Sequence, residues 1–426
     1  MMDFYICYKR FDCFTIYFTM AQGFASQSTR DSAIKTNSSD IPTLSTIKTH
    51  LTDCFSGVED PRVNRTKKHL LKDILVIAIL AVIAGANGWE DMENYGQSKQ
   101  PWLQQFLQLP HGIPSDDTFR RLFERINPQV LEKCLSQWLN NLLGCVSSQI
   151  VPIDGKTLRG SYDRNQGIQA LHLVTAWASE QKLVLAQVKV EDKSNEITAI
   201  PLLLELFDVK GTIITIDAMG TQKEIMEQII SKKANYVVCL KANHPTLFNQ
   251  VKQWFNQHKE DNFSDVEISY HQQTQKAHHR IETRKVWAIP VTAFGGLYQQ
   301  EEWIGLTTIV IVERTRRLWN KNTHQVQFYL SSLPADAQKN GSAIRKHWGI
   351  ENQMHWTLDV TFSEDKCRVR SGHSPQNIAL LRRWALNALN QEKTINRSLR
   401  QKSKRAAMNN DYMLTVLKSF CLGRLR

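Results

Sequence analysis

Two apolar runs that each end abruptly in an aspartate constrain this chain more than any other feature. The runs 150–153 and 212–216 stop at Asp154 and Asp217, and a small residue follows each acid. A short apolar run bounded by turn residues indicates a strand that is buried on both faces. We therefore expect both carboxylates at the rim of a sheet, which is where open α/β sheets bind ligands.

A third acid, Glu351, lies far downstream in a segment with helical spacing. Carboxylate oxygens are the ligands that Mg²⁺ (or Mn²⁺) prefers, and two such ions can clamp the attacking and leaving oxygens of a phosphoryl transfer. Asp154, Asp217 and Glu351 fit that need, and they are the predicted catalytic and metal-binding residues. The pattern alone leaves alternatives open, because Asp154 can start a turn, Asp217 can cap a helix and Glu351 can be a surface residue.

A different metal chemistry is also open on the downstream segment. His347, Glu351 and His355 recur every four residues, so a helix places them on one face. Two imidazoles and a carboxylate suit zinc or iron. The two strand-end aspartates would then have no role, and for this reason we favour the magnesium site.

The charge balance favours a polyanionic partner. The chain carries 53 Lys and Arg against 41 Asp and Glu, a net charge of +12, which suits nucleic acid or an anionic membrane surface. The most apolar stretch, residues 74–84, is shorter than the roughly 20 residues of a spanning helix, so no membrane segment is expected. The eight cysteines are scattered without a C-x-x-C pair. This argues against a zinc ribbon or a disulfide framework and favours reduced thiols in the cytoplasm.

The apolar spacing also divides the chain into parts. Residues 1–45 have no periodicity and no signal peptide pattern, so we expect a flexible extension, with Met20 as an alternative start. Helical spacing predicts an all-helical domain over residues 46–148, and strand patterns predict an α/β catalytic domain over residues 149–390. An inserted β-rich subdomain is expected at 245–335. Residues 391–426 are expected to be a basic tail that contacts DNA phosphates.

The order of elements within the α/β domain predicts its topology. Before the insertion, the patterns read β-β-β-α-β-α-β. This is the order of an RNase H-like core, a mixed sheet flanked by helices in which the first and fourth strands lie side by side. The first strand carries Asp154 and the fourth carries Asp217, so this core would bring the two acids together.

Longer motifs surround all three acids. They are DGKTLRGS (residues 154–161), KSNEI (193–197), TIDAMG (215–220) and HWGIENQMHWTLDV (347–360), with AGANGWE (84–90) and GIPSDDTF (112–119) in the helical part. Over residues 46–390 the chain resembles the H-repeat-associated family of DDE insertion-sequence transposases, together with that family's associated N-terminal domain. The combination of motifs is far more specific than any one of them.

The resemblance implies an RNase H-like catalytic domain in which Asp154, Asp217 and Glu351 bind two Mg²⁺ ions. It implies that water nicks DNA at the element ends and that the freed 3′-hydroxyl then attacks target DNA, in a bacterial cytoplasm. The implied partners are terminal inverted repeats and target DNA, and a homodimer on DNA is left open. A hydrolytic nuclease without strand transfer and a catalytically silent DNA-binding remnant are the alternatives.

One signature of related transposases is missing here. The pattern Tyr-x2-Arg-x3-Glu-x6-Lys around the catalytic Glu would place its Tyr, Arg and Lys at Ile344, His347 and Leu358. None matches, so no end-binding role is assigned to these positions. Nearby candidates for phosphate contact, on charge alone, are Arg345, Lys346, Arg368 and Arg370.

Overall fold

The structure is a computed structural model, and it is a mixed α/β fold. It describes residues 49–50, 53–143, 149–163, 167–191, 194–277, 280–318 and 320–421. The expected flexible extension, residues 1–45, lies outside this part of the chain. None of the helices in the described ranges has both the length and the apolar character that crossing a bilayer requires.

Helices precede the sheet, as the spacing predicts. They are α1 (Leu71–Ile83), α2 (Trp89–Leu103), α3 (Asp116–Phe123) and α4 (Pro128–Leu143). Nearly every residue of α1 is buried, because a helix that is apolar all round has no face suited to water. Helix α2 runs unbroken through Pro101, which lies in its last turn.

Nine strands form one mixed sheet in the order β3-β2-β1-β4-β5-β9-β8-β7-β6. They are β1 (Ile150–Thr157), β2 (His172–Ala178), β3 (Leu183–Lys189), β4 (Ile213–Ile216), β5 (Asn235–Leu240), β6 (Ser269–Ala277), β7 (Arg280–Pro290), β8 (Thr308–Arg317) and β9 (Asn322–Ser331). Strands β1, β4 and β5 are parallel neighbours, and the other pairs are antiparallel. Helices α5 (Glu196–Leu203) and α6 (Lys223–Ser231) connect β3 to β4 and β4 to β5. The first and fourth strands are therefore adjacent, as expected.

The segment 245–335 begins with α7 (Pro245–Glu260) and then contributes β6 to β9. This is the segment predicted as an inserted β-rich subdomain. Its strands extend the central sheet, because β9 pairs antiparallel with β5 and covers the edge that β5 would otherwise expose. The sequence of β6, SYHQQTQKA, is mostly polar, and its pairing with β7 defines the strand.

The last part of the chain is helical. It contains α8 (Ala337–His347), a π-helical turn (Ile350–His355), α9 (Trp356–Val360), α10 (Ser374–Gln391), α11 (Leu399–Met408) and α12 (Asn410–Cys421). Helix α10 packs against α1 and β3, and the Asn387 side chain bonds both the N–H and the carbonyl of Val184 in β3, at 2.8 and 2.9 Å. These contacts join the helical cluster to the sheet.

Much of the predicted basic tail, residues 391–426, is helical. Through Cys421 it forms α11 and α12, and Met413, Leu417 and Phe420 are buried in the same core as α1. Lys402 is also buried and pairs with Glu392 at 3.2 Å. In the sequence, charged residues separate the few apolar ones of this region. Burial of those apolar residues stabilises the two helices.

Candidate active site

The register of β1 and β4 places two of the predicted acids side by side. Ile153 pairs with Ile216 in this parallel pair, so Asp154 and Asp217 are the next residue on each strand. Parallel strands end at the same edge of a sheet, and both acids line one cavity of about 140 Å³ there. Glu351, on the π-helical turn, lines the same cavity. The structure thus brings the three predicted acids to one site from three distant parts of the chain.

The rest of the cavity wall comes from β5, β9 and α8. It comprises Val237, Cys239, Lys241, Gln327, Tyr329, Ile344, His347 and Trp348, with Thr215 and Ile216 of β4. Much of this wall is apolar and buried, which lowers the local dielectric and strengthens electrostatic interactions inside.

Asp154 shows the electrostatic consequence of this setting. Burial, followed by the negative charges of Glu196 and Glu351, raises the pKa of Asp154 to about 7, although the N–H of Gly155 bonds the carboxylate and acts in the opposite direction. Asp217 adds a smaller effect of the same sign as the other acids. A buried carboxylate among like charges is a common mark of a functional site, because a cation relieves the repulsion.

Glu196 is an acid of this site that the sequence reasoning did not select. It is the first residue of α5, whose N-cap Asn195 accepts a hydrogen bond from the N–H of Ile197. A Cβ at Gly155 would come within 2.0 Å of Glu196 Oε1, so a glycine after Asp154 is what allows this close approach. The Asn195 cap predicts where α5 begins, but no local signal predicts that this helix start lies against β1.

Glu196 is held in place from the other side by His172. Its Oε1 lies 2.9 Å from His172 Nε2, and His172 Nδ1 lies 2.8 Å from Thr157 Oγ1. The chain Glu196–His172–Thr157 therefore links the start of α5 to β2 and back to β1. This fixes the carboxylate of Glu196 close to Asp154.

The helical face predicted for His347, Glu351 and His355 is altered by the π-helical turn. His347 lines the cavity with Glu351, whereas His355 Nδ1 lies 3.6 Å from Asp154 Oδ2. Burial lowers the pKa of His347 to about 4 and that of His355 to about 3, so both imidazoles are neutral near pH 7. Single π-turns inside helices are common at functional sites.

Among the described residues, no group of three or more His, Cys, Asp or Glu side chains is arranged to hold a metal ion. This applies equally to the three acids and to the alternative set with two histidines. The three acids nevertheless line one cavity.

A buried ion network lies directly beneath this site. Lys156, two residues after Asp154, bonds Asp359 and also Glu364 Oε2 at 3.0 Å. Glu364 is fully buried and bonds Arg383 at 2.5 Å. Burial alone would raise the pKa of Glu364, but Arg383 and Lys156 lower it to about 2. The network thereby connects β1 to the segments that follow Glu351.

The four basic candidates fall into separate places. Arg345 is exposed and donates to two glutamines of β6, and Lys346 pairs with Glu180 at 2.7 Å. Arg368 and Arg370 line another cavity, together with Arg120 of α3. They do not form one cluster.

Comparison with known proteins identifies the family. Residues 146–388 match the model of the Transposase DDE domain, and residues 52–139 match the model described as DDE_Tnp_1-associated. "Putative transposase YncI" of Escherichia coli O157:H7 is 38% identical over 377 residues, which is 87% of this chain and 94% of that protein. "H repeat-associated putative transposase YhhI" of Escherichia coli strain K12 is 35% identical over 373 residues, 86% of this chain and 97% of that protein.

A solved structure, a cryo-EM structure of piggyBac transposase synaptic complex with hairpin DNA, also matches. It has a TM-score of 0.37 and 12% identity, and the match covers 89% of this chain and 78% of that one. A likeness at this level is too weak to argue from. The family assignment depends on the sequence matches, which confirm the resemblance stated above, and they show that this chain belongs to the DDE transposase family.

Proposed function

We propose that this protein is the transposase of an insertion sequence, and that it cuts the ends of the element and joins them to target DNA by metal-dependent phosphoryl transfer. The observation that carries the proposal is the convergence of Asp154, Asp217 and Glu351 on one cavity. Family membership supports the reaction class. The strand order β3-β2-β1-β4-β5 supports an RNase H-like core within residues 149–390.

The donor set fits divalent magnesium or manganese. Three carboxylates supply hard oxygen ligands, and the raised pKa of Asp154 reflects a negative field that a cation relieves. In this proposal Asp154, Asp217 and Glu351 hold two Mg²⁺ (or Mn²⁺) ions. When bound, such ions neutralise charge on the transferring phosphoryl group and promote ionisation of the nucleophile.

The chain's own residues prepare the site in three ways. His172 holds Glu196 in place, and the negative charge of Glu196 acts on the carboxylate of Asp154. The apolar wall around Tyr329 excludes bulk water from the cavity. His355 lies 3.6 Å from Asp154, and because its imidazole is neutral near pH 7 it adds no positive charge beside the proposed metal ligands.

DNA is the proposed partner, with Arg345, Lys346, Arg368 and Arg370 as phosphate contacts. The separate positions of these residues suit a long duplex better than a small anion. Residues 46–148 are proposed as the helical transposase-associated domain, and residues 391–426 as a basic C-terminal region. A homodimer on DNA would allow two ends to be joined together.

The test uses purified full-length protein, an oligonucleotide with a pre-nicked element end, supercoiled plasmid and Mg²⁺. We expect joined product from the natural protein and none from Asp217→Asn, with DNA binding retained. The matched control is Glu227→Gln, an exposed acid on α6, which should leave joining unchanged. Nicking without joining would indicate the hydrolytic nuclease, and DNA binding without any cleavage would indicate the silent remnant.

A further inference from the structure

The outer strands of the sheet carry arginines on the same face as the catalytic cavity. Alternate residues of a strand share a face. Val286 of β7 and Val312 of β8 are buried in the core on the α8 side of the sheet. Two residues further along, Arg284 and Arg314 lie on that same side, and the register places them directly opposite each other. Arg316 follows in the next row, opposite Glu282.

Helix α8 adds a fourth guanidinium to this surface. The Arg345 side chain donates to Gln273 Oε1 at 3.0 Å and to Gln275 Oε1 at 2.5 Å. Both glutamines lie on β6 in register with the arginine rows of β7. We call the surface formed by Arg284, Arg314, Arg316 and Arg345 the arginine face.

The arginine face carries more positive charge than its neighbours neutralise. Within the described residues, the carboxylate paired with these arginines is that of Glu282, which bonds Arg284 at 2.6 Å and Arg316 at 2.7 Å. Arg314 bonds the amide oxygen of Gln325, at 2.5 Å. Burial lowers the pKa of Arg284, Glu282 opposes this shift, and Arg345 adds to it. Burial, Arg316 and Arg284 likewise lower the pKa of Arg314.

Such crowding has a stability cost, because like charges directly opposite on neighbouring strands are destabilising. Glu282 offsets part of the charge of Arg284 and Arg316, whereas Arg314 and Arg345 bond neutral glutamines that leave their charge available. Guanidinium forks held in this way suit bidentate contact with phosphate oxygens.

The arginine face continues directly into the catalytic cavity. Gln327 and Tyr329 of β9 line that cavity, and Gln325, the partner of Arg314, is the next residue of β9 on the same face. Two residues along a strand span about 7 Å. Helix α8 makes the same connection, because Ile344, adjacent to Arg345, lines the cavity.

We propose that the arginine face is the docking surface for the phosphate backbone of duplex DNA next to the bond that is cut. This rests on the proposed function, and it adds the site at which the substrate is held. DNA is the occupant that charge complementarity favours, since a duplex with its scissile phosphate in the cavity passes over β9 and then over the arginine rows. Glu282 orients Arg284 and Arg316 within this surface.

The experiment measures DNA affinity against salt concentration in the Asp217→Asn background, so that cleavage does not interfere. Each phosphate contact contributes about 0.9 to the slope of log affinity against log salt. Arg314→Gln with Arg345→Gln should therefore lower the slope by about 2 and weaken binding about 50-fold at 0.1 M salt. Arg317→Gln is the control, because Arg317 has the same charge and strand but lies on the opposite face. It should change the slope little.

The double variant Arg314→Lys with Arg345→Lys separates loss of charge from loss of folding. It should keep the slope of the natural protein if phosphate contact is the role, whatever the stability of the glutamine variant. Equal loss in the Arg317→Gln control, or an unchanged slope in the glutamine variant, would overturn the arginine face. If the natural protein joins DNA and the glutamine variant keeps the natural salt slope, the docking surface is wrong and the proposed function stands. If the natural protein neither binds nor joins DNA, both fail.

Discussion

Replacing Asp154 with asparagine should stabilise the metal-free protein at alkaline pH. The side chain keeps its shape but loses the charge that burial, Glu196 and Glu351 oppose. In this view the natural residue is a source of instability that is retained for metal binding, as expected where functional sites trade stability for activity.

The magnitude follows from the shift in the pKa of Asp154. Its pKa is raised to about 7 in the folded protein, against about 3.9 for an unperturbed Asp, and three units correspond to about 4 kcal/mol. The two pKa values together therefore fix the penalty at alkaline pH, and we expect about 4 kcal/mol. The folded pKa lies above the unfolded one, so the penalty is absent below about pH 4, grows as pH rises towards 7 and is constant above that.

Urea denaturation in EDTA, at pH 5 and at pH 8.5, measures the difference. The free energy of unfolding of Asp154→Asn should exceed that of the natural protein by about 4 kcal/mol at pH 8.5 and by about a third of this at pH 5. Adding Mg²⁺ at pH 8.5 should stabilise the natural protein and not the variant. Equal stability of the two proteins in EDTA at pH 8.5 would refute the assignment of Asp154 to a repelling carboxylate site.

Three further changes test the surroundings of Asp154. Glu364→Gln leaves Arg383 buried without its partner and should lower the free energy of unfolding by about 3–5 kcal/mol in urea; the natural ion pair should persist down to the depressed pKa of Glu364, near 2. Gly155→Ala brings a methyl group within 2.0 Å of the Glu196 carboxylate, so joining of DNA should fall while DNA binding is unchanged in a filter assay. Glu196→Gln removes the acid whose charge raises the pKa of Asp154 most. In EDTA the free energy of unfolding of this variant should therefore fall less between pH 5 and pH 8.5 than that of the natural protein.

Much of the sheet and the pairing of the two aspartates could be predicted from the sequence, for a local reason. A strand buried on both faces must be apolar throughout, so Asp154 and Asp217 mark where the burial ends. The element order then implies that the two strands are neighbours. The register Ile153–Ile216 agrees with that expectation.

Other features depend on contacts between distant segments and left no local signal. The polar strand β6 exists because β7 offers it a pairing edge. The turn at Glu351 has ordinary helical spacing in sequence, and its π geometry comes from how it is packed. Glu196 was treated only as a helix start, because its approach to Asp154 depends on Gly155. The helices after Lys393 were not predicted, because basic residues dominate the sequence pattern there.

On the sheet face that carries the candidate site, the charge changes from negative near β1 and β4 to positive on β8 and β7. Asp154 lies within β1 and Asp217 directly follows β4, the uncharged wall of β5 and β9 comes next, and guanidinium groups lie on β8 and β7. A phosphate backbone is attracted to the second region and repelled by the first, so docking on the arginine face needs no metal. Binding in EDTA should therefore persist with a steep salt dependence, whereas under the proposed function DNA cleavage should appear only after Mg²⁺ is added.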